Sequence, residues 1–222
     1  MYLTKSTFTM TDGKDACDIV YNPLGATIEY DRAFTAGQKS TICLPFALTQ
    51  DEANTAGTFY EMTAASASGI TFTQVTSGGT TAYKPYIFEA KATGTPFSSL
   101  SNKAIVASAG ATTSYDVSGY TFHGTLAAQD VTSGAYGYSG GAFKKAGTGV
   151  TIKAFRGYIT APANAPALLN IDFIDGMGGT TGISEVKSTE GNDGVMYNLQ
   201  GQRVGESHKD LVIKNGRKYV IK

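Results

Sequence analysis

Tryptophan is absent from this 222-residue chain, and histidine and cysteine occur only twice each. Two cysteines cannot make a disulfide framework or a four-sulfur zinc site. Charged residues are 16% of the total and the formal net charge is zero, so no general attraction to nucleic acid or to an anionic membrane follows. No apolar run approaches the roughly 20 residues that cross a bilayer as a helix. The opening Met1-Tyr2-Leu3-Thr4-Lys5 lacks the basic and apolar regions of a signal peptide, and the expectation is that the natural chain extends upstream of Met1.

The two thiols differ in setting. Cys17 shares alternation with Ile19 and Tyr21, whereas Cys43 has opposite parity to Ile42, Leu44 and Phe46. Two buried free thiols are expected. A Cys17–Cys43 disulfide remains open and requires their strands to be neighbours.

What the chain does have is 27 glycines, 13 tyrosines and 11 phenylalanines among abundant Thr, Ser and Ala. Thr and Tyr suit a pleated surface, and Gly supplies positive φ at corners. Strand-like runs read at Ser6–Met10, Cys17–Tyr21, Ala26–Phe34, Ser40–Leu48, Thr58–Thr63, Ile70–Val75 and Ala82–Ala90. Others follow at Ala104–Ala107, Thr121–Leu126, Gly134–Ser139, Val150–Thr160 and Leu168–Ile174. Between them lie turn signals such as Asp12-Gly13, Ser77-Gly78-Gly79, Gly140-Gly141 and Gly147-Thr148-Gly149. The fold class predicted is all-β: a multi-stranded β-sandwich, jelly-roll-like or built of two meanders. One short helical turn is expected at Thr49–Ala56, capped by Thr49 with Glu52 three residues on.

A faint repeat runs through the body. Gly57-Thr58-Phe59-Tyr60, then Phe72-Thr73-Gln74-Val75, then Tyr83-Lys84-Pro85-Tyr86-Ile87-Phe88 form one copy. Gly134-Ala135-Tyr136-Gly137, Phe143-Lys144-Lys145-Ala146 and Phe155-Arg156-Gly157-Tyr158-Ile159-Thr160 form the other. A true repeat would put Lys84 and Arg156 at equivalent positions. Aromatic strands between glycine turns also look alike by composition alone.

Residues 1–176 read as the body and the glycine-rich 177–182 as a linker, leaving 183–222 as a small C-terminal segment. That segment reads as hairpins: Val195–Leu199 turning at Gln200-Gly201 into Arg203-Val204, and Leu211–Ile213 turning at Asn215-Gly216 into Lys218–Ile221.

Within it, Tyr197, Leu199, Gly201, Val204, Gly216 and Lys218 match a pattern of the form Tyr-Asn-Leu-x-Gly-x-x-Val followed by a basic hairpin. On these residues the tail resembles the sorting domains of type IX secretion in secreted Bacteroidetes proteins. Asp210 and Val212 stand where that pattern usually has Gly and Tyr. The body is similar to surface modules of Bacteroides and Prevotella proteins at Tyr30–Phe34, Ser40–Phe46, Gly57–Glu61, Lys84–Phe88 and Ala154–Tyr158. The resemblance implies export to the outer-membrane surface or beyond. It also implies the outer-membrane secretion machinery as a partner of the tail.

Catalytic chemistry is thinly represented. His208 lies in a polar loop, and His123, between Phe122 and Gly124, reads as an outward-facing strand residue rather than a base. Gly137-Tyr138-Ser139-Gly140-Gly141 is not a nucleophile elbow. Glu29 and Asp31 share a strand face and read as solvated carboxylates. The acidic runs Asp12–Asp18 and Asp172–Asp175 lack the oxygen spacing of an EF-hand loop. No enzyme, cofactor or metal is expected. For binding, Tyr136 and Tyr138 share a strand face and Phe143 follows across a glycine turn, a candidate platform for a sugar or a host-surface protein. Tyr115 and Tyr120 flank another such turn. The same alternation also describes a core face, and the missing tryptophan weighs against a sugar platform.

The basic excess of the tail, Lys209, Lys214, Arg217, Lys218 and Lys222 against Asp210, suits lipopolysaccharide phosphates, an acidic translocon surface or an edge strand protected from aggregation. The expected function is a non-catalytic, adhesive or ligand-binding surface module at the end of a larger secreted protein. The alternatives are a structural spacer and a glycan-binding accessory domain.

Overall fold

The computed structural model describes residues 7–14, 25–105 and 111–176, and the backbone of 196–197, 203–204, 211–214 and 217–220. The chain divides into two compact units, Met1–Gly182 and Ile183–Lys222. Cys17 lies outside the described residues, as do the predicted strand Cys17–Tyr21 and the linker 177–182.

In chain order the first unit runs β1 (Thr7–Met10), β2 (Ala26–Tyr30), β3 (Lys39–Cys43), α1 (Gln50–Ala56), β4 (Gly57–Ser66), β5 (Gly69–Gln74), β6 (Pro85–Ala90) and β7 (Leu100–Lys103). It continues with β8 (Ser114–Val117), β9 (Tyr120–Gly124), β10 (Gln129–Asp130), β11 (Tyr136–Ser139) and β12 (Ala142–Lys145). The last elements are β13 (Thr151–Ile152), β14 (Gly157–Thr160), β15 (Leu168–Leu169) and β16 (Ile171–Ile174). The fold is an all-β sandwich, as the turn chemistry predicts, with a third layer added.

The middle layer is the five-stranded sheet β16-β5-β4-β6-β3. One face, carrying Ile42, Phe59, Tyr86 and Phe88, packs against Met10, Ile28 and Tyr30 of the sheet β1-β2-β7 and against Ala53 and Ala56 of α1. The other, carrying Tyr60, Met62, Phe72 and Ile87, packs against Phe122, Tyr136, Phe143 and Ile159 of the six-stranded sheet β15-β12-β11-β14-β9-β8. β6 therefore has a core on both sides, which is why Pro85-Tyr86-Ile87-Phe88 reads as continuous rather than alternating apolar sequence. Each fully buried phenylalanine contributes about 1.5–3 kcal/mol over an exposed one. The helix starts as predicted: Thr49 and Glu52 form a reciprocal capping box.

The repeat is present in the hydrogen-bond register. Across the middle sheet one row runs Thr41–Ile87–Tyr60–Gln74, and across the six-stranded sheet the matching row runs Phe122–Ile159–Tyr136–Lys145. In space the first copy is ordered β5-β4-β6-β3 and the second β12-β11-β14-β9. Tyr83 and Phe155 precede the fourth strand of each copy with φ of 65° and 58°, a left-handed conformation uncommon for aromatic residues. Each donates its amide to the residue that follows the first strand, Tyr83 to Leu44 at 2.7 Å and Phe155 to Thr125 at 2.8 Å. Lys84 and Arg156 are thus equivalent.

Two details differ from expectation. The register pairs Tyr60, not Phe59, with Tyr136, because Phe59 points to the opposite core. The copies are also not meanders, since the fourth strand returns between the first and the second.

Other predicted strands break at identifiable points. Val150–Thr160 divides into β13 and β14 where Phe155 turns left-handed. Leu168–Ile174 divides at Asn170: β15 joins β12 of the six-stranded sheet, and β16 joins β5 of the middle sheet in parallel. In place of a strand starting at Ala104, β7 ends at Lys103.

In the C-terminal unit, β17 (Met196–Tyr197), β18 (Arg203–Val204), β19 (Leu211–Lys214) and β20 (Arg217–Val220) form one sheet in the order β18-β17-β19-β20. Lys214 pairs with Arg217, and the predicted turn at Asn215-Gly216 lies outside the described residues.

Candidate functional site

The rings singled out from sequence face inward. Tyr136 and Phe143 are fully buried, and the Tyr136 hydroxyl donates to the Pro166 carbonyl. Phe143 stacks on Phe72 of the middle sheet at 5.9 Å and meets the half-buried Tyr138 edge-on at 5.2 Å. The shared parity of Tyr136 and Tyr138 is real, but it marks the core face, so these three side chains offer no platform to a ligand in solvent. Tyr120 is also buried, and the Tyr115 hydroxyl accepts the Met62 amide at 2.8 Å.

The opposite face of the same sheet divides: Tyr158, 8% exposed, packs in a cluster with Val131, Ala135, Val150 and Ile152, and the β8–β9 side is polar. β8 presents Ser114 and Asp116, β9 presents Thr121 and His123, and β14 presents Tyr158 and Thr160. Register places Ser114 beside His123 and His123 beside Tyr158, with Asp116, Thr121 and Thr160 in the next row. The imidazole lies flat against the Tyr158 ring, 4.8 Å between centroids and 15° between planes. Its Nε2 is 2.8 Å from the Thr160 hydroxyl. Partial burial lowers the His123 pKa and favours the neutral ring. Asp116 accepts the Gly119 amide and the Thr121 hydroxyl, both at 3.1 Å. The alternation Tyr120-Thr121-Phe122-His123-Gly124 carries this arrangement in the sequence: Tyr120, Phe122 and Gly124 are buried, and the two residues between them are not.

Elsewhere four ion pairs tie elements of the body together. Lys39–Glu89 spans the neighbouring strands β3 and β6, Lys84–Glu61 joins the residue before β6 to β4, and Lys103–Glu52 ties β7 to the first turn of α1. Arg156 pairs with Asp12 and donates to the buried Tyr30 hydroxyl at 3.1 Å. Arg32, 6% exposed, lies 4.3 Å over the Phe34 ring and donates to the Thr41 carbonyl at 2.9 Å. Burial, then the nearby Arg156 charge, lowers its pKa to about 10. Glu29 and Asp31 are exposed, Glu29 accepting from Thr9 and Asp31 from the Asp12 amide.

Among the described residues no group of three or more His, Cys, Asp or Glu is placed to hold a metal, and no helix is long and apolar enough to cross a membrane. Cys43 is a free, buried thiol. A shallow groove of about 540 Å³ runs along Ser66, Ser68, Asn170 and Asp172 and contains no aromatic side chain.

Of the residues matched to a sorting pattern, Tyr197 pairs with Arg203, Val204 with Met196 and Lys218 with Ile213. Leu199, Gly201 and Gly216 lie outside the described residues, as does His208. Comparison with models of known families, with curated proteins and with solved structures finds no match for this chain.

Proposed function

We propose that this chain is a non-catalytic module of a secreted protein, displayed at the cell surface, where its body binds a ligand or partner and its C-terminal segment directs export. The observation that carries the non-catalytic reading is the use made of the chemically capable side chains. The four ion pairs of the described body join strands, a helix or a loop to one another. The imidazole of His123 is held by the Thr160 hydroxyl and the Tyr158 ring, with no carboxylate hydrogen-bonded to it to orient it as a base. General acid–base work needs a titratable group within reach of a reacting proton and free to move it, and the ion-paired groups of the body are held by one another.

Support for export comes from the tail, whose Tyr197, Leu199, Gly201, Val204, Gly216 and Lys218 resemble a type IX sorting pattern. Deleting Gly182–Lys222 from the protein in a host with that pathway should leave it in the periplasm. Arrival of the truncated chain at the surface in normal amount would sink the sorting reading. A hydrolytic activity retained by the purified body and abolished by His123→Ala would sink the non-catalytic one.

A further inference from the structure

The duplication allows equivalent positions to be compared within one chain. On the outer face of the first copy, Ile42, Tyr86 and Phe88 are buried beneath β1, β2 and α1. Register puts His123, Tyr158 and Thr160 at the same positions in the second. Exchanging Ile for His and Phe for Thr forfeits the burial that holds a third layer in place. The outer face of the second copy is thus covered by apolar side chains at Tyr158, which packs with Val131, Ala135 and Ile152, and is left to polar residues at His123, Thr160 and β8, where a contact of different chemistry fits.

The arrangement around His123 indicates which chemistry. On one side Tyr158, 8% exposed, packs in the cluster with Val131, Ala135 and Ile152. On its other side is the imidazole. The far face of the imidazole is turned toward β8, where the register partner is the small Ser114. The half-buried imidazole thus ends the ring stack above a low step, with the Asp116 carboxylate and the Thr121 and Thr160 hydroxyls in the adjacent row. Asp116 is the one formal charge in this set of six, which disfavours an acidic ligand.

We infer that this face binds a neutral oligosaccharide, with one pyranose ring lying on the imidazole above Ser114 and its hydroxyls bonded to Asp116, Thr121 and Thr160. A pyranose offers an apolar C–H face that packs on a ring, and hydroxyls that a small number of placed polar groups can orient. The Asp116 oxygens each retain an acceptor site beyond the bonds they already make. The inference rests on the binding-module reading above.

The test is an amide-resolved NMR titration of the full chain with maltohexaose, cellohexaose, xylohexaose and mannohexaose. At least one should shift Ser114, Asp116, Thr121, His123 and Thr160, saturating in the range of about 1 mM. His123→Ala, and separately Ser114→Trp to fill the step, should weaken that binding tenfold or more with the melting transition retained. Shifts that map to the Ser66–Asn170 groove and persist in both variants overturn this site and leave the binding module standing. Silence from all four sugars up to about 20 mM overturns the sugar assignment itself, while the export test is decided independently.

Discussion

Cys43 and Gly124 occupy the same position in the two copies and face each other across the inner core, the sulfur filling the space that a side chain on Gly124 would need. A Cβ on Gly124 would press into the Cys43 sulfur and stand 2.9 Å from its Cβ. Gly124→Ala should therefore destabilise the body by about 1–3 kcal/mol through overpacking. Gly124→Cys should cost more still, and the exchange Cys43→Gly with Gly124→Cys should recover part of the loss of that single variant. Urea unfolding of the singles and the double closes the cycle, and a neutral Gly124→Ala would show that the two sheets are not packed this way.

The same burial governs the thiol's reactivity. Cys43 is fully buried and burial pushes its pKa up to about 12, so almost no thiolate exists at neutral pH. Alkylation of Cys43, followed by peptide mass mapping, should proceed only as fast as the body opens. Rapid labelling in the absence of denaturant would contradict the observed packing.

Phe72 and Phe143, equivalent by register, stack on one another with 12° between their planes. Replacing either with Ala should cost about 3–5 kcal/mol. The two losses should fall short of additivity by about 0.5–1.5 kcal/mol, the coupling of an aromatic pair. Additive losses would mean that the stack contributes nothing beyond burial.

Glu52 joins two devices, the capping box with Thr49 and the ion pair with Lys103, itself 6% exposed. Burial alone would raise its pKa, but the bonds from Lys103 and Thr49 outweigh it and hold the carboxyl below its ordinary value. A folded-state pKa below the unfolded one gives stability that is complete above the unfolded value and lost as pH falls through the folded value. Thr49→Ala should cost about 0.5–2 kcal/mol. In Glu52→Gln, stability at neutral pH should drop and its decline between about pH 5 and pH 3 should flatten. Denaturant melts across that range test both, and an unchanged acid limb in the Gln variant would remove Glu52 from the account.

The all-β class, the capped helix, the C-terminal hairpin and the repeat were legible because each depends on local chemistry: alternation, glycine turns, a Thr-x-x-Glu spacing. The inward orientation of Tyr136 and Tyr138 was not. A period of two tells which residues share a face, and the identity of the inner face is decided by what packs there. Here that is Phe72, on a strand of another sheet. Partners such as Asp12 for Arg156 were equally hidden, lying 144 positions apart. The break at Phe155 runs against propensity, since an aromatic residue rarely adopts positive φ, and no local signal announces it. The candidate face was half visible. Alternation identified His123 as outward-facing, but its value as a site emerges only beside Ile42, its counterpart in the first copy.

The passage of one short stretch from β15 to β16 through Asn170 sets the order in which the protein can be completed. Leu168–Leu169 closes the edge of one sheet and Ile171–Ile174 the edge of the other, with Asn170 bonded to Ser68 across 102 positions. A chain emerging from its N-terminus must hold both edges unpaired until this last stretch arrives. Long-range, partly parallel pairing of this kind is intrinsically slow. The nascent body therefore passes through a late interval with two open strand edges, when it is most prone to join a neighbour, and that interval ends in one step as the same seven residues seal both sheets.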